Sequence, residues 1–312
     1  MINNWLRYLI EKNKRILWDK TFRYTVEGTV GIHASNKLLS QKWGAKYFDN
    51  DFLLKKKSDT LFILGSGPSI NLISDNQWEE ISDHDSFGFN YWFLHDFIPD
   101  FYMFQMPPEV ELHDVTLNMI ERVKNEYKHI PIILRGDGNI NLEFDLNDNR
   151  LSLFKQGEIY LINEYPIHMH VEVDLPILFE YLSVMGMLSF NSISSFVPKM
   201  RSSIMMLITL GYQMGYKNIV LCGVDMNSGF EHFYDHKDYK KLYKELGLDI
   251  IAKNSMSGFE VFTNERQSKN TVPKYIKYFR DWAYEMNGVK LMIASENTVL
   301  YPEIDLYQFR SK

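Results

Sequence analysis

The run Thr60-Leu61-Phe62-Ile63-Leu64-Gly65-Ser66-Gly67-Pro68-Ser69-Ile70 constrains this chain more than any other stretch. Five strand-forming, mostly apolar residues pass without interruption into Gly-Ser-Gly-Pro-Ser. An unbroken apolar run marks a parallel strand buried on both faces. The two glycines permit a tight turn and close backbone approach to a ligand. Pro68 suits the first position of a helix, where its missing N–H costs nothing. Strand, turn and helix start together predict a ring of free N–H groups at the positive end of a helix dipole, a setting that suits a phosphate. A purely structural strand-to-helix turn uses the same residues, so a ligand needs further support.

The rest of the chain supplies a pattern around that run. Strands are expected at Ser86–Asn90, at Phe101–Gln105 (closed by Pro107-Pro108), at Ile130–Leu134, Glu158–Ile162, Asn218–Cys222 and Lys290–Ile293. Helices are expected from Pro68 to about Asn76, from Glu109 to Tyr127, from Pro176 to Met187, from Ser202-Ser203 to Gly215, and from Val272 to Asn287. Residues 135–150, rich in Gly, Asn and Asp, read as loop. The alternation predicts an α/β fold: a Rossmann-like doubly wound, mostly parallel sheet whose ligand site lies beyond the carboxyl ends of the strands. Gly65–Ser69, Asn90, Gly223-Val224-Asp225 and Ser295–Asn297 all fall at such ends. Residues 226–270 are polar and weakly periodic, and read as a partly helical lid over the site.

Composition sets limits on function. The net charge is −6, yet residues 1–24 carry six basic and two acidic side chains, so the body is strongly acidic; an acidic body argues against a dedicated nucleic-acid binder. Residues 2–24 read as a basic amphipathic helix that either lies on an anionic membrane surface or packs on the protein. Residues 1–57 are accordingly assigned to a basic amphipathic N-terminal extension and 58–312 to the Rossmann-like domain that carries the ligand site. The single cysteine, Cys222, closes an apolar run and suits a reducing compartment as a buried, inert thiol. No signal peptide and no transmembrane run is recognisable, which gives a cytoplasmic expectation with peripheral attachment to the inner membrane.

The dinucleotide fingerprint is incomplete. Its third glycine is Ile70, and the second strand ends in Asn90 rather than an acid, both against NAD. No Gly-Lys-Ser/Thr follows the turn, which excludes a P-loop. Asn90 either bonds a base or ribose or caps the next turn. Asp49-Asn50-Asp51 and Asp83-His84-Asp85 have the form of metal-dependent sugar transferases, but neither follows an apolar strand, and both read as surface acids. His168 and His170 lack a partnering cluster. No metal or other cofactor is expected.

Five islands in order then carry a resemblance: Gly65-Ser66-Gly67-Pro68-Ser69, Phe89-Asn90, Arg201-Ser202-Ser203, Gly215-Tyr216-Lys217 and Gly223-Val224-Asp225. With Ser268-Lys269-Asn270-Thr271 and Ser295-Glu296-Asn297-Thr298, this order resembles the bacterial sialyltransferases of glycosyltransferase family 42 and the related MptE-like proteins. The resemblance implies a GT-A-like variant of the doubly wound fold. It also implies inverting, metal-independent transfer of a nonulosonic acid (sialic acid, Kdo, legionaminic or pseudaminic type) from a CMP-sugar. The acceptor would be a surface glycan or glycolipid of lipopolysaccharide or capsule, met at the inner leaflet. By the same resemblance Gly65, Ser66 and Gly67, beside Pro68 and Ser69, meet the CMP phosphate and ribose. Asn90 and Gln105 approach nucleotide or sugar, Ser202 and Ser203 hold the sugar carboxylate, and Gly223, Ser295 and Asn297 complete the donor site.

In family 42 a histidine precedes Ser-Lys-Asn-Thr and serves as base; here that position is Gln267. His232 is then the expected base, with His236 second and Asp225 either shaping its loop or serving as base itself. Tyr234 is the best match for a tyrosine steadying the leaving phosphate. The alternatives are an MptE-like pterin diphosphokinase and a catalytically silent nucleotide-binding module. Homo-oligomer formation is left open.

Overall fold

The computed structural model describes residues 20–107, 112–135, 147–167, 174–194, 196–200, 202–226, 232–246 and 271–310. Its centre is an eight-stranded sheet in which every pairing is parallel. In chain order the strands are β1 (Lys46–Tyr47), β2 (Thr60–Leu64), β3 (Asp85–Phe89), β4 (Phe101–Phe104), β5 (Ile132–Arg135), β6 (Ile159–Ile162), β9 (Asn218–Cys222) and β10 (Lys290–Ile293). Two further strands, β7 (Glu164–Ile167) and β8 (Val197–Met200), make a separate parallel pair. Across the main sheet the order is β1-β6-β5-β4-β3-β2-β9-β10.

The chain therefore walks outward from β2 in one direction and returns to β2's other side with β9. That reversal is a topological switch point, where the connections leave opposite faces of the sheet and open a crevice at the carboxyl ends. The pleat explains why β2 is apolar without interruption. Leu61 and Ile63 enter one core with Phe87, Phe101 and Leu221, whereas Phe62 and Leu64 enter the other with Tyr102, Leu134 and Cys222. Helices cover both faces. On the first lie α5 (Leu175–Val184), α6 (Ser203–Gln213) and α8 (Val272–Asn287); on the second lie α1 (Lys20–Trp43), α2 (Asp75–Ser82), α3 (His113–Tyr127) and α4 (Ser152–Gln156).

Several elements differ from the sequence expectation. The helix expected from Pro68 to Asn76 is two pieces, a 3-10 turn at Pro68–Leu72 and then α2, whose start is set by a capping box between Ser74 and Gln77. The poorly patterned residues 25–57 are tied to the main body at several points: Asn36 donates to the Ile162 carbonyl at 2.9 Å, β1 is an edge strand on β6, and fully buried Phe52 packs on Phe101 and Tyr160. Most of the amphipathic helix expected at residues 2–24 lies outside the described residues, as do His168, His170 and Gln267. Of the expected lid, residues 232–246 are described; they form a 3-10 turn at Phe233–Asp235 and α7 (Lys240–Glu245), and Phe233 and Tyr234 are buried rather than solvated. Among the described residues no helix is long and apolar enough to cross a membrane.

An aromatic cluster holds the 3-10 turn down. His95 stacks on Trp92 with centroids 4.5 Å apart and meets the Phe233 ring edge-on, while its Nδ1 accepts the Phe97 N–H at 2.9 Å. Burial lowers its pKa from the ordinary 6.5 to about 4. The unfolded chain thus binds this proton more readily, and the neutral ring's stabilisation is lost as pH falls from about 6.5 through 4. Wild-type stability should drop by up to about 3 kcal/mol from this group over that window. His95→Asn, which keeps an acceptor without the titration, should be less stable at pH 7 but show a flatter acid limb in urea melts at successive pH values. Parallel acid limbs would contradict this.

Candidate active site at the strand ends

At the switch point the β2 and β9 loops are locked together. The Gly65 N–H donates to the Cys222 carbonyl at 2.7 Å and the Gly67 N–H to the Gly223 carbonyl at 2.8 Å. Ser69 donates its N–H to Asp225 Oδ2 at 2.8 Å and its hydroxyl to Asp225 Oδ1 at 2.5 Å. So close an approach requires glycine: a Cβ on Gly67 would stand 2.5 Å from Asp225 Oδ2, and one on Gly223 would stand 2.5 Å from Ile70 Cγ1. The ring of free N–H groups expected here is therefore largely committed to the protein. Only the Ser69 N–H meets a carboxylate, that of Asp225; the Gly65 and Gly67 N–H groups meet carbonyls. Burial pushes the pKa of Asp225 up, against the opposing pull of the two Ser69 bonds. Ser66 and Pro68 stay half-buried at the rim of the turn.

The lid segment sits directly on that rim. The Phe233 N–H donates to the Ser66 carbonyl at 2.9 Å, and Asn71 Nδ2 donates to the Phe233 carbonyl at 3.0 Å. His232 is thereby placed next to the glycine turn. Its backbone N–H donates to Asp235 Oδ2 at 2.7 Å, its ring Nδ1 lies 3.6 Å from the same oxygen, and its ring packs on Tyr234 at 4.7 Å. Burial raises the pKa of Asp235, but the His232 bonds outweigh it and hold the carboxyl below its ordinary value. His236 is set apart. Its Nδ1 lies 3.1 Å from Asp238, and it lines another cavity of ≈ 360 Å³ with Asn71, Leu94, Asp96 and Tyr239.

The remaining candidates follow along the strand ends. Asn90, exposed after β3, adopts φ 55, a left-handed conformation, and its carbonyl accepts from the buried Tyr102 hydroxyl. Gln105, after β4, accepts from Arg135, the residue that ends β5. Ser202 caps α6, accepting the Met205 N–H at 3.3 Å, and the Ser203 hydroxyl accepts from Arg135 Nη1 at 2.7 Å. On the far side of β9, Ser295 accepts the Asn297 N–H at 3.1 Å, while Thr298 Oγ1 and the Val299 N–H donate to the Val224 and Asp225 carbonyls at 2.8 and 3.0 Å. Ser295–Asn297 thus border the same switch point. From β2 to β5 is three strand spacings, about 14 Å, and the strand ends form a ledge along that distance.

Arg135 was not among the sequence candidates. Its signal was a charge closing an otherwise wholly apolar strand, at the end where ligands bind. The D-x-D runs lie elsewhere: Asp49 caps a 3-10 turn, accepting from the Asp51 N–H, and Asp85 accepts the Lys57 and Ser58 N–H groups at the amino end of β3. Among the described residues no group of three or more His, Cys, Asp or Glu is arranged to hold a metal ion.

No family model and no curated protein matches the chain. Among solved structures it is similar to the sialyltransferase CstII from Campylobacter jejuni in complex with the substrate analogue CMP-3FNeuAc, at 19% identity over 79% of this chain and 86% of that chain, with a TM-score of 0.42. It is also similar to the monofunctional alpha-2,3-sialyltransferase Cst-I from the same organism, at 14% identity over 80% of each chain, with a TM-score of 0.40.

Asn90 offers a test that separates backbone from side chain. Asn90→Gly should leave the melting temperature near wild type, since glycine adopts the left-handed conformation freely, whereas Asn90→Ala should cost about 1 kcal/mol. If the amide meets a nucleotide, both variants should weaken CMP binding alike in calorimetric titration. Undiminished binding by Asn90→Gly would reduce Asn90 to a turn residue.

Proposed function

We propose that this chain is a glycosyltransferase that moves a nonulosonic acid from a CMP-activated donor to a hydroxyl of a surface glycan or glycolipid. The observation that carries this most directly is the bond from the Phe233 N–H to the Ser66 carbonyl, which seats a histidine with a carboxylate partner on the rim of the glycine turn. The order of the sequence islands supports the same reading.

The chemistry follows from the parts. The Asp235 carboxylate near Nδ1 favours the tautomer with its proton there and leaves Nε2 of His232 as the base. Nε2 takes the acceptor hydroxyl's proton as the acceptor oxygen attacks the anomeric carbon. The bond from that carbon to the phosphate oxygen breaks on the opposite side, and CMP departs with inversion. Asp235 then steadies the imidazolium. With the Gly65, Gly67 and Ser69 N–H groups already bonded within the protein, donors to the departing phosphate come from the rim, from Ser66 and from the Tyr234 hydroxyl. Asn90 and Gln105 line the ledge toward Ser203, where the sugar carboxylate lies. Asp225 acts as a structural latch in this scheme. No step requires a metal.

Two measurements test the proposal. In a thermal-shift panel of CMP, UDP, GDP, ATP and NAD, CMP should raise the melting temperature most, with or without magnesium; a magnesium-dependent response to ATP alone would point to a diphosphokinase and contradict it. His232→Ala should cut transfer or hydrolysis of a CMP-sugar by about 10²–10⁴-fold with CMP affinity retained. A smaller loss than that of His236→Ala would move the base to His236.

A further inference from the structure

At the carboxyl ends of β4 to β6 four side chains form a unit. Arg135 and Glu164 are each almost wholly buried, at 2% and 1% exposure. Arg135 donates Nε to Glu164 Oε1 at 2.6 Å and Nη2 to Oε2 at 3.3 Å, a two-pronged pairing. Nη1 turns the other way, toward the ledge, and donates both to Gln105 Oε1 and to Ser203 Oγ. Lys199 Nζ stands 3.6 Å from Glu164 Oε2, so that carboxylate is met by two cations.

A buried ion pair contributes little net stability compared with well-packed apolar residues of the same volume. What this pair does add is direction. Glu164 fixes the plane of the guanidinium, and that plane sets where the third nitrogen points. A serine oxygen that accepts from a guanidinium must send its own proton elsewhere. The Ser203 proton is thereby turned away from Arg135 and kept available as a donor, while the oxygen retains one further lone pair.

We infer that Arg135 is a positioning residue, whose guanidinium, held by Glu164, fixes the Ser203 hydroxyl as a hydrogen-bond donor toward the carboxylate of the donor sugar. This rests on the CMP-sugar reading above. It gives a basis for preferring an acidic sugar: a neutral hexose presents no carboxylate to the Ser203 proton. Lys199 takes part through Glu164, whose charge it helps to balance.

The test compares binding of CMP and of CMP-N-acetylneuraminic acid by isothermal titration calorimetry. Removing Arg135 alone would strand a buried Glu164 charge, so the pair is replaced together as R135M/E164M, with a thermal melt to verify folding. S203A and the combined triple variant complete the cycle. CMP affinity should stay as in wild type, because CMP has no sugar carboxylate. The affinity for CMP-N-acetylneuraminic acid should fall by about 10- to 100-fold in S203A and in R135M/E164M. The triple variant should lose no more than either, since both changes remove one interaction. S203T, which keeps the hydroxyl, should restore most of the preference for the sugar nucleotide. An unchanged preference in R135M/E164M, or losses that add in the triple variant, would overturn the inference. Should the double variant fail to fold, R135K decides: it keeps the charge and loses the fork, and a retained preference would likewise overturn it. If wild type binds CMP but the variants leave the preference intact, this inference alone fails. If wild type binds no CMP, the CMP-sugar reading fails and carries this one with it.

Discussion

The contact between Asp225 and Ser69 holds the two halves of the molecule's working end together. β2 and β9 are neighbours in space but 154 residues apart from Leu64 to Asn218 in the chain, and their carboxyl ends diverge into loops that leave opposite faces of the sheet. One carboxylate, accepting the Ser69 N–H and hydroxyl, closes that gap. Gly65, Gly67 and Gly223 are small because backbone must meet backbone there. Everything built on the rim inherits its position from this latch: Ser66 accepts from Phe233, and the Ser295–Asn297 loop is tied to the Val224 and Asp225 carbonyls.

The latch also changes what a glycine turn can do. A strand, a glycine turn and a helix start normally leave N–H groups to cradle a phosphate. Here Gly65 and Gly67 give their N–H groups to backbone carbonyls and Ser69 gives its N–H to Asp225, so none of the three is left for a phosphate. On the proposed reading a ligand is received by the rim and the ledge rather than by the bottom of the turn. The polar groups available there are spaced along β3, β4 and β5, ending at a buried arginine, which matches a ligand that is elongated and acidic at its far end.

Much of this was legible in the sequence, and the reasons differ by element. Most of the parallel strands could be read because they are nearly unbroken apolar runs, and their order puts Asn90, Asp225 and Ser295–Asn297 at carboxyl ends of strands. β1 could not be read, since Lys46 and Tyr47 are exposed and carry no pattern. β8 was hidden by Pro198, which demotes a run as a strand candidate. The fate of the turn N–H groups was illegible because their partners lie at the end of the neighbouring strand, up to 157 residues away in the chain. The packing of Phe233 and Tyr234 was hidden by the polar residues around them, which made the whole segment resemble a solvated excursion. Arg135 closes β5 but read as the first residue of the loop over 135–150; its partners Gln105, Glu164 and Ser203 come from three different parts of the chain.

The central claim is that the rim of the latched turn, and not its interior or the cavity beside His236, receives a cytidine nucleotide. A crystal structure of the full chain grown with CMP tests it most directly. The account predicts the nucleotide along the ledge, with its phosphate beside Ser66 and the His232–Tyr234 segment, its nucleoside near Asn90, and the Asp225–Ser69 bonds intact. Nucleotide bound in the cavity lined by Asp96 and His236, or bound with the Asp225–Ser69 latch broken and phosphate in its place, would contradict it.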